Sequence, residues 1–477
     1  MTRLIGLDVG TSSVKGLALG SEGEVLASAE QPVALAVPAP GWAEQDPDDW
    51  WSAAQQVLTR LDAPSATAIG LSGQMHGLVA LGADDRPLRP AILWNDGRTQ
   101  AQCDEIEARV GRDRLVALTG NRALAGFTAP KLLWMAEHEP ELHARIRSVL
   151  LPKDYVRLQL CGERATDVAD ASGTLWFDVG ARRWSDEMLA ALEVDEAWLP
   201  PAYESPEVTG EAYGGVAVAA GAGDQAAGAL GVGVLVEGGP VSVVLGTSGV
   251  VLGAHDSYAP DAEGRVHAFC HAVPGAWQTM GVMLSAAGAL AWLKHAVGAD
   301  ADYATLLAEA ERWEPGCEGL TFAPYLAGER TPFADPAVRG AFTGLGLQHD
   351  RGAMVRAVLE GVAFGLADCL DLVAGPGQRP PTGRVSGGGA RSEVWLQIVA
   401  SVLDLPLEVG AVDEGAAYGA ALLGGVAAGV FADAEEAVAR CVRMTRAVEP
   451  PAGWVDRYAE LRSRFTALYP ALSKLPL

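Results

Sequence analysis

The stretch LIGLDVGTSSVKGLAL, residues 4–19, reads as two short strands around a Gly-Thr-Ser-Ser turn, and VSVVLGTSGVVLGA, residues 241–254, repeats that pattern in the second half of the chain. A strand–turn–strand unit that recurs this way predicts two related domains, each opening on the same hairpin. One position breaks the match. The alignment sets Asp8 against Val244, so the first copy alone carries a carboxylate. A turn that needed an acid in order to fold would have kept one in both copies, which points to a chemical role for Asp8.

Length and composition agree with two domains. A chain of 477 residues is too long for one hydrophobic core, and 49% hydrophobic with 20% charged residues is a globular balance. The net charge of −25 argues against nucleic acid, because such a protein gains nothing from counterion release, and equally against an anionic membrane surface. The six cysteines, Cys103, Cys161, Cys270, Cys317, Cys369 and Cys441, lie far apart, which suggests reduced thiols in a cytoplasm. The N-terminal MTRLIGLDVG meets a charge at Asp8 and lacks the apolar run of a signal peptide. The uncharged run GAAYGAALLGGVAAGVFA, 415–432, is long enough to test as a membrane span, but its Gly and Ala content predicts a buried helix.

Short β-rich runs alternate with helical ones along the chain, the pattern of an α/β protein. GEVLASAEQPV (23–33) continues the first hairpin as a third strand. DDWWSAAQQVLTRL (48–61) has helical spacing, with Asp46 as N-cap ahead of Pro47. ATAIGLSGQMHGLVALG (66–82) reads as a strand pair, and 95–215 as mostly helical. The Gly-rich VGVLVEGGPVS (232–242) reads as a hinge between domains 1–235 and 236–477. DRGAMVRAVLEGVAFGLADCLDLV (350–373) is a long helix, followed by RVSGGGARSEVWLQIVASVL (384–403) as strand, three glycines and helix.

Several motifs have a chemical and a bland reading. A single Gly-Thr-Ser turn is usually an ordinary hairpin. Two matched ones, with hydroxyls at Thr11, Ser12, Thr247 and Ser248, favour a phosphate cradle between the domains. SGGGARS (386–392) could let a flat adenosine lie on backbone, although a lone Gly-rich turn is a weak signal. HEPELH (138–143) spaces its histidines by five across Pro140, and HAFCH (267–271) has no third ligand, so a packed structure is expected of both. GQMHG (73–77) exposes His76 between glycines; on its own it reads as a satisfied core histidine. Trp50, Trp51 and Trp94 fit a core or a sugar-stacking wall equally well. AAGAGDQAAGALG (219–231) holds a lone carboxylate, Asp224, which either caps a helix or does chemistry, since burying it uncompensated costs several kcal/mol.

Together these segments resemble the FGGY carbohydrate kinases over nearly the whole chain. GFTAPKLLWMAEH (126–138) resembles the family's first signature, and GAFTGL with VLEG matches the second in part, with Ala353 where the family usually has a polar residue. GLDVGTSSVKG, LGTSGV and GGGARS are similar to the phosphate and adenosine loops of the actin, hexokinase and heat-shock ATPase fold. Met75-His76, PAILWNDGR, LLPKDY, DASGT and PYLAGERTP resemble the branch that phosphorylates D-xylulose, although Gln225 stands where many of that branch have Asn.

The resemblance implies two ribonuclease H-like α/β domains with a cleft between them, ATP and Mg²⁺ as cofactors, D-xylulose as the small-molecule substrate, and a homodimer by analogy. It implies Asp224 as catalytic base and Asp8 as the residue orienting Mg²⁺. Met75, His76, Asp224 and Gln225 would contact the sugar; Gly10, Thr11, Ser12, Gly246, Thr247, Ser248, Gly388 and Gly389 would hold ATP. Another ketopentose or polyol would share every ATP residue. A sugar sensor or chaperone ATPase of the same fold would have no need of both Asp8 and Asp224.

Overall fold

The computed structural model describes residues 2–297, 300–375, 378–412 and 415–475. Alternating apolar runs form two seven-stranded mixed sheets. The first is built from β1 (Leu4–Val9), β2 (Ser13–Leu19), β3 (Val25–Pro32), β4 (Ala68–Gly73), β5 (Val208–Ala212) and β6 (Val216–Ala219), with β7 (Ala222–Gly223) also on β4. Its order is β5-β6-β4-β1-β2-β3. The second contains β8 (Val241–Leu245), β9 (Gly249–His255), β10 (His267–Cys270), β11 (Trp277–Met283), β12 (Gly383–Ser386), β13 (Leu407–Gly410) and β14 (Met444–Val448), in the order β10-β11-β9-β8-β12-β13-β14.

The two sheets share a core topology. Each opening hairpin is antiparallel, β1 with β2 and β8 with β9, and each opening strand pairs in parallel with a strand much later in sequence, β4 or β12. The register matches too: Asp8 lies opposite Ser72, and Val244 opposite Ser386. The duplication read from the hairpins therefore extends across five strands of each sheet, β3-β2-β1-β4-β6 matching β11-β9-β8-β12-β13.

Helices cover the sheets. Helix α1 (Pro47–Arg60) is capped by the Asp46 side chain, which accepts from the Asp48 amide at 3.0 Å. It buries Trp50, Ala54, Val57 and Leu58 against the first sheet. Helix α2 (Thr128–His138) and helix α3 (Asp224–Gly231) follow in the first half. In the second half, α4 (Ala287–Val297), the largely buried α5 (Arg351–Ala374) and α6 (Glu393–Leu403) enclose the other core. At the start of α5 the Asp350 carboxylate caps the Ala353 amide at 3.0 Å, so the helix start keeps its cap with an alanine at 353.

Helix α7 (Gly415–Ala427) explains the Gly/Ala run. It crosses from the second half of the chain to pack on β1, β4 and α3, backbone against backbone. A Cβ on Gly70 would lie 1.7 Å from the Ala420 carbonyl oxygen, and one on Gly419 would lie 1.9 Å from that of Ala227. Larger residues would hold the helix off the sheet. No helix among the described residues is long and apolar enough to cross a membrane.

Two local expectations change. The strands at 68–73 and 79–81 do not pair with each other: β4 joins the main sheet, whereas Val79–Leu81 pairs with Ser148–Leu150. The glycines and buried side chains between them turn the chain out of the sheet to build the site described below. The stretch 95–215 holds helices, but also several two- to five-residue strands such as Phe177–Asp178 with Arg183–Trp184. Strands that short are fixed by tertiary pairing and leave no two-residue period to read.

Candidate active site

The site lies where β4 and α3 of the first half meet β9 and β11 of the second. A cavity of about 140 Å³, room for a few waters or a small polyol, is lined by Met75, His76, Trp94, Phe127, Asp224, Gln225, Ser248 and Arg330. A larger space of about 550 Å³, which shares Trp94, Leu124, Gly126 and Arg330, adjoins it.

Asp224 stands in the first turn of α3, half-buried among small residues, with Gln225 Nε2 donating to its Oδ1 at 3.3 Å. A helix N-terminus ordinarily favours a carboxylate. Here desolvation wins: burial first, then the charge of Asp8, raises Asp224 to about 7. A carboxyl poised near neutrality, with room in front of it, can accept a proton in the working pH range. The alternative of a simple cap is not realised, since the residue before α3 is Gly223 and no side chain caps the helix.

His76 is fixed on all sides. Its φ is 70°, a conformation uncommon outside glycine, and its carbonyl accepts from Thr128 Oγ1 at 3.1 Å and Lys131 Nζ at 2.7 Å. Both donors belong to α2, so the segment 126–138 serves to hold the histidine backbone. The imidazole Nδ1 lies 2.8 Å from the Gly173 carbonyl. Burial, then the Lys131 charge, pushes His76 down to about 3, so the ring is neutral. A carbonyl only accepts, so the proton is on Nδ1 and Nε2 keeps a lone pair for a hydroxyl. Gly173 has to be glycine, because a Cβ there would lie 2.4 Å from His76 Nδ1.

The segment that carries Gly173 is anchored by a buried ion cluster. Lys153 Nζ lies 2.6 Å from Asp154 Oδ1, 2.7 Å from Asp167 Oδ2 and 3.1 Å from Asp170 Oδ2. Asp167 also caps the short helix Val168–Ala171, accepting from the Ala169 and Asp170 amides. LLPKDY and DASGT thus act behind the site, on its geometry.

Each Gly-Thr-Ser turn has its carbonyls tied back into the protein. In the first, the Thr11 oxygen accepts from Gln45 Nε2 at 2.7 Å and the Ser12 oxygen from the Val33 amide at 3.0 Å. In the second, the Thr247 oxygen accepts from the Ala286 and Gly288 amides, and the Gly246 oxygen from the Ala287 amide. A trans peptide points its N–H opposite to its C=O, so the Ser12 and Ser248 amides both face away from these anchors. Two expected donors are engaged elsewhere: the Gly10 amide donates to the Ser13 oxygen at 3.1 Å, and the Thr11 hydroxyl to Gln74 Oε1 at 3.0 Å. Those two positions contribute through the shape of the turn.

The third Gly-rich segment is a 3-10 turn, Gly388–Arg391, between β12 and α6. A Cβ added at Gly388 would meet nothing within 4 Å, so one face of this turn is open.

Against this geometry, the FGGY carbohydrate kinase N-terminal domain matches residues 3–231 and the C-terminal domain of the same family matches 241–428. The chain is an FGGY carbohydrate kinase. It is 45% identical to a xylulose kinase of Escherichia coli, over 89% of this chain and 90% of that one, and 40% identical to one of Klebsiella pneumoniae over 99% of each. A crystal structure described as a xyloylose kinase from Brucella ovis superposes with a TM-score of 0.93 at 42% identity, covering 99% of this FGGY kinase and 100% of that chain.

The cavity brings together Met75, His76, Asp224, Gln225 and Ser248; Asp8 acts on Asp224 through its charge. The histidines of HEPELH and HAFCH pack within the protein: His138 stacks on Trp134, His143 meets Trp198 edge-on, and His267 bonds Asn121 Oδ1 at 2.7 Å. Of the tryptophans, Trp50 is buried in the first core, whereas Trp94 lines the cavity and donates to Thr11 Oγ1 at 3.0 Å.

Sequence reading of this kinase missed four contributors. Gln45 and Gln74 join Trp94, Thr11 and Trp50 in one network running from the cavity wall to the first turn. Glutamines carry no motif, and only proximity reveals them. Lys131 and Arg330 sit inside GFTAPKLLWMAEH and PYLAGERTP, which mark the segments without saying which side chain turns inward.

Proposed function

We propose that this kinase transfers the γ-phosphoryl group of ATP to the 5-hydroxyl of D-xylulose, with Asp224 as general base. The observation that carries the reading is a carboxyl raised to about 7 that lines a polyol-sized cavity, in a chain whose full-length relatives include xylulose kinases. Phosphoryl transfer needs the acceptor hydroxyl held in line and relieved of its proton as the bond forms. Asp224 takes that proton; His76 Nε2 accepts from a second sugar hydroxyl, Met75 packs on the carbon chain, and Gln225 holds the base.

In this reading the turns at Gly10, Thr11, Ser12 and at Gly246, Thr247, Ser248 cradle the phosphates from the two domains, 1–235 and 236–477. Gly388 and Gly389 support the adenosine. Asp8, whose charge reaches Asp224, would hold Mg²⁺, which usually takes one or two carboxylates with phosphate oxygens and water. Bound Mg²⁺ neutralises charge developing on the phosphates. Closure about 232–242 would keep water from competing as acceptor.

ADP release is measured with MgATP and D-xylulose, D-ribulose, L-ribulose, xylitol or glycerol, in wild type and Asp224→Ala. D-xylulose is expected to be turned over best, and the variant to lose about 10³-fold or more. Preference for another sugar moves the assignment to a sister specificity. Wild-type activity in the variant removes Asp224 as base.

A further inference from the structure

Among the described residues, Arg330 is the one permanent cation lining the sugar cavity, and the phosphoryl-transfer chemistry above leaves it without a task. Its backbone is fixed by the second half of the chain. Glu329 Oε1 accepts from the Leu284 amide at 2.9 Å and from the Arg330 amide at 2.8 Å, while Thr331 exchanges hydrogen bonds with Val282 of β11 at 2.9 and 3.0 Å. The guanidinium, by contrast, donates no hydrogen bond to any described residue. Partly buried and facing the cavity, its donors are free to meet a polar ligand there.

Its place in the cavity is away from the base. Arg330 lines the part of the cavity shared with the larger adjoining space, whereas Asp224 and Gln225 line the smaller cavity alone. A five-carbon chain with its 5-hydroxyl at Asp224 therefore runs its other end toward Arg330. Guanidinium has donors and no acceptor, so its best partner is an oxygen that only accepts. In a ketopentose that oxygen is the C2 carbonyl. A hydroxyl in its place would still need an acceptor for its own proton.

We propose that Arg330 recognises the hydroxyketone end of the sugar, donating to the C2 carbonyl, and so selects ketoses over the corresponding polyols. This rests on the kinase reading above. The second domain thereby grips the sugar tail while the first holds the reacting hydroxyl, and a bound ketose bridges the two.

The test compares kcat/KM for D-xylulose, xylitol and D-xylonate in wild type, Arg330→Met and Arg330→Lys, with melting temperatures as a check on folding. Arg330→Met is expected to lose about 10- to 100-fold on D-xylulose and several-fold at most on xylitol, so that the preference collapses, with Arg330→Lys in between. Equal losses on both sugars, or a raised KM for ATP with the preference intact, overturn the proposal. So does wild-type preference for D-xylonate, whose carboxylate would claim the same donors. If D-xylulose is not the best ketose, the substrate assignment falls. The inference then stands on whether Arg330→Met selectively loses the preferred ketose against its own polyol.

Discussion

The turn at 10–12 and the turn at 246–248 share a backbone path and differ in what holds them. The first is tied by a side-chain amide, Gln45, and a neighbouring strand; the second by the start of α4. Their strands share one topology and register, yet Asp8 has Val244 as its counterpart. Both copies direct amides away from anchored carbonyls, the arrangement a bound anion would require. The carboxylate was needed once, on the side where α3 presents Asp224.

The largest effect should come from moving that carboxylate. Asp8→Val is expected to lower kcat by about 10²- to 10³-fold and to weaken activation by Mg²⁺. Adding Val244→Asp to it should restore nothing. Recovery in the double variant, measured by initial rate against Mg²⁺ concentration, would mean that the two hairpins are chemically interchangeable.

Next is the seam that joins the halves. Gly70→Ala puts a methyl group 1.7 Å from the Ala420 carbonyl, and a stability loss of about 3 kcal/mol is expected in denaturant unfolding. A neutral result would show that α7 can lift from the first sheet.

A subtler contrast is electrostatic. In the free enzyme kcat/KM should rise with pH through a limb near 7, set by Asp224. Asp8→Asn should move that limb to lower pH, because it removes the second cause of the shift. The stability sign follows from linkage. Asp224 binds its proton more tightly folded, at about 7, than unfolded, at 3.8, so its contribution falls as pH rises between those values. Asp224→Asn should therefore melt above wild type by a margin that grows from pH 5 to 7 and is constant at pH 8.

The smallest effect on the fold is expected at Gly388→Ala, where the added methyl group meets nothing within 4 Å. Stability should change by less than about 0.5 kcal/mol while KM for ATP rises. An unchanged KM would separate this turn from the nucleotide.

Asp8 and both turns stand out in the sequence because the turn occurs twice with one acid, and Asp224 because it is a lone carboxylate in an apolar run; Met75 and His76 are assigned to the sugar by the family resemblance. Gln45, Gln74, Lys131 and Arg330 could not: they are ordinary residues that acquire roles through partners as distant in sequence as Thr11 or His76. Sequence periodicity also could not say that 79–81 pairs with 148–150, since pairing is a long-range choice.

The sequence by itself determined the duplicated α/β plan and the lone carboxylate of the first hairpin, because local periodicity and turn chemistry are written residue by residue. Tertiary structure alone decided how those pieces act together. Burial and the Asp8 charge bring Asp224 near neutrality, α2 holds the His76 backbone while Gly173 fixes its tautomer, and β11 holds Arg330 in the cavity. Desolvation and proximity depend on what the folded chain brings close, and no single stretch of sequence contains that.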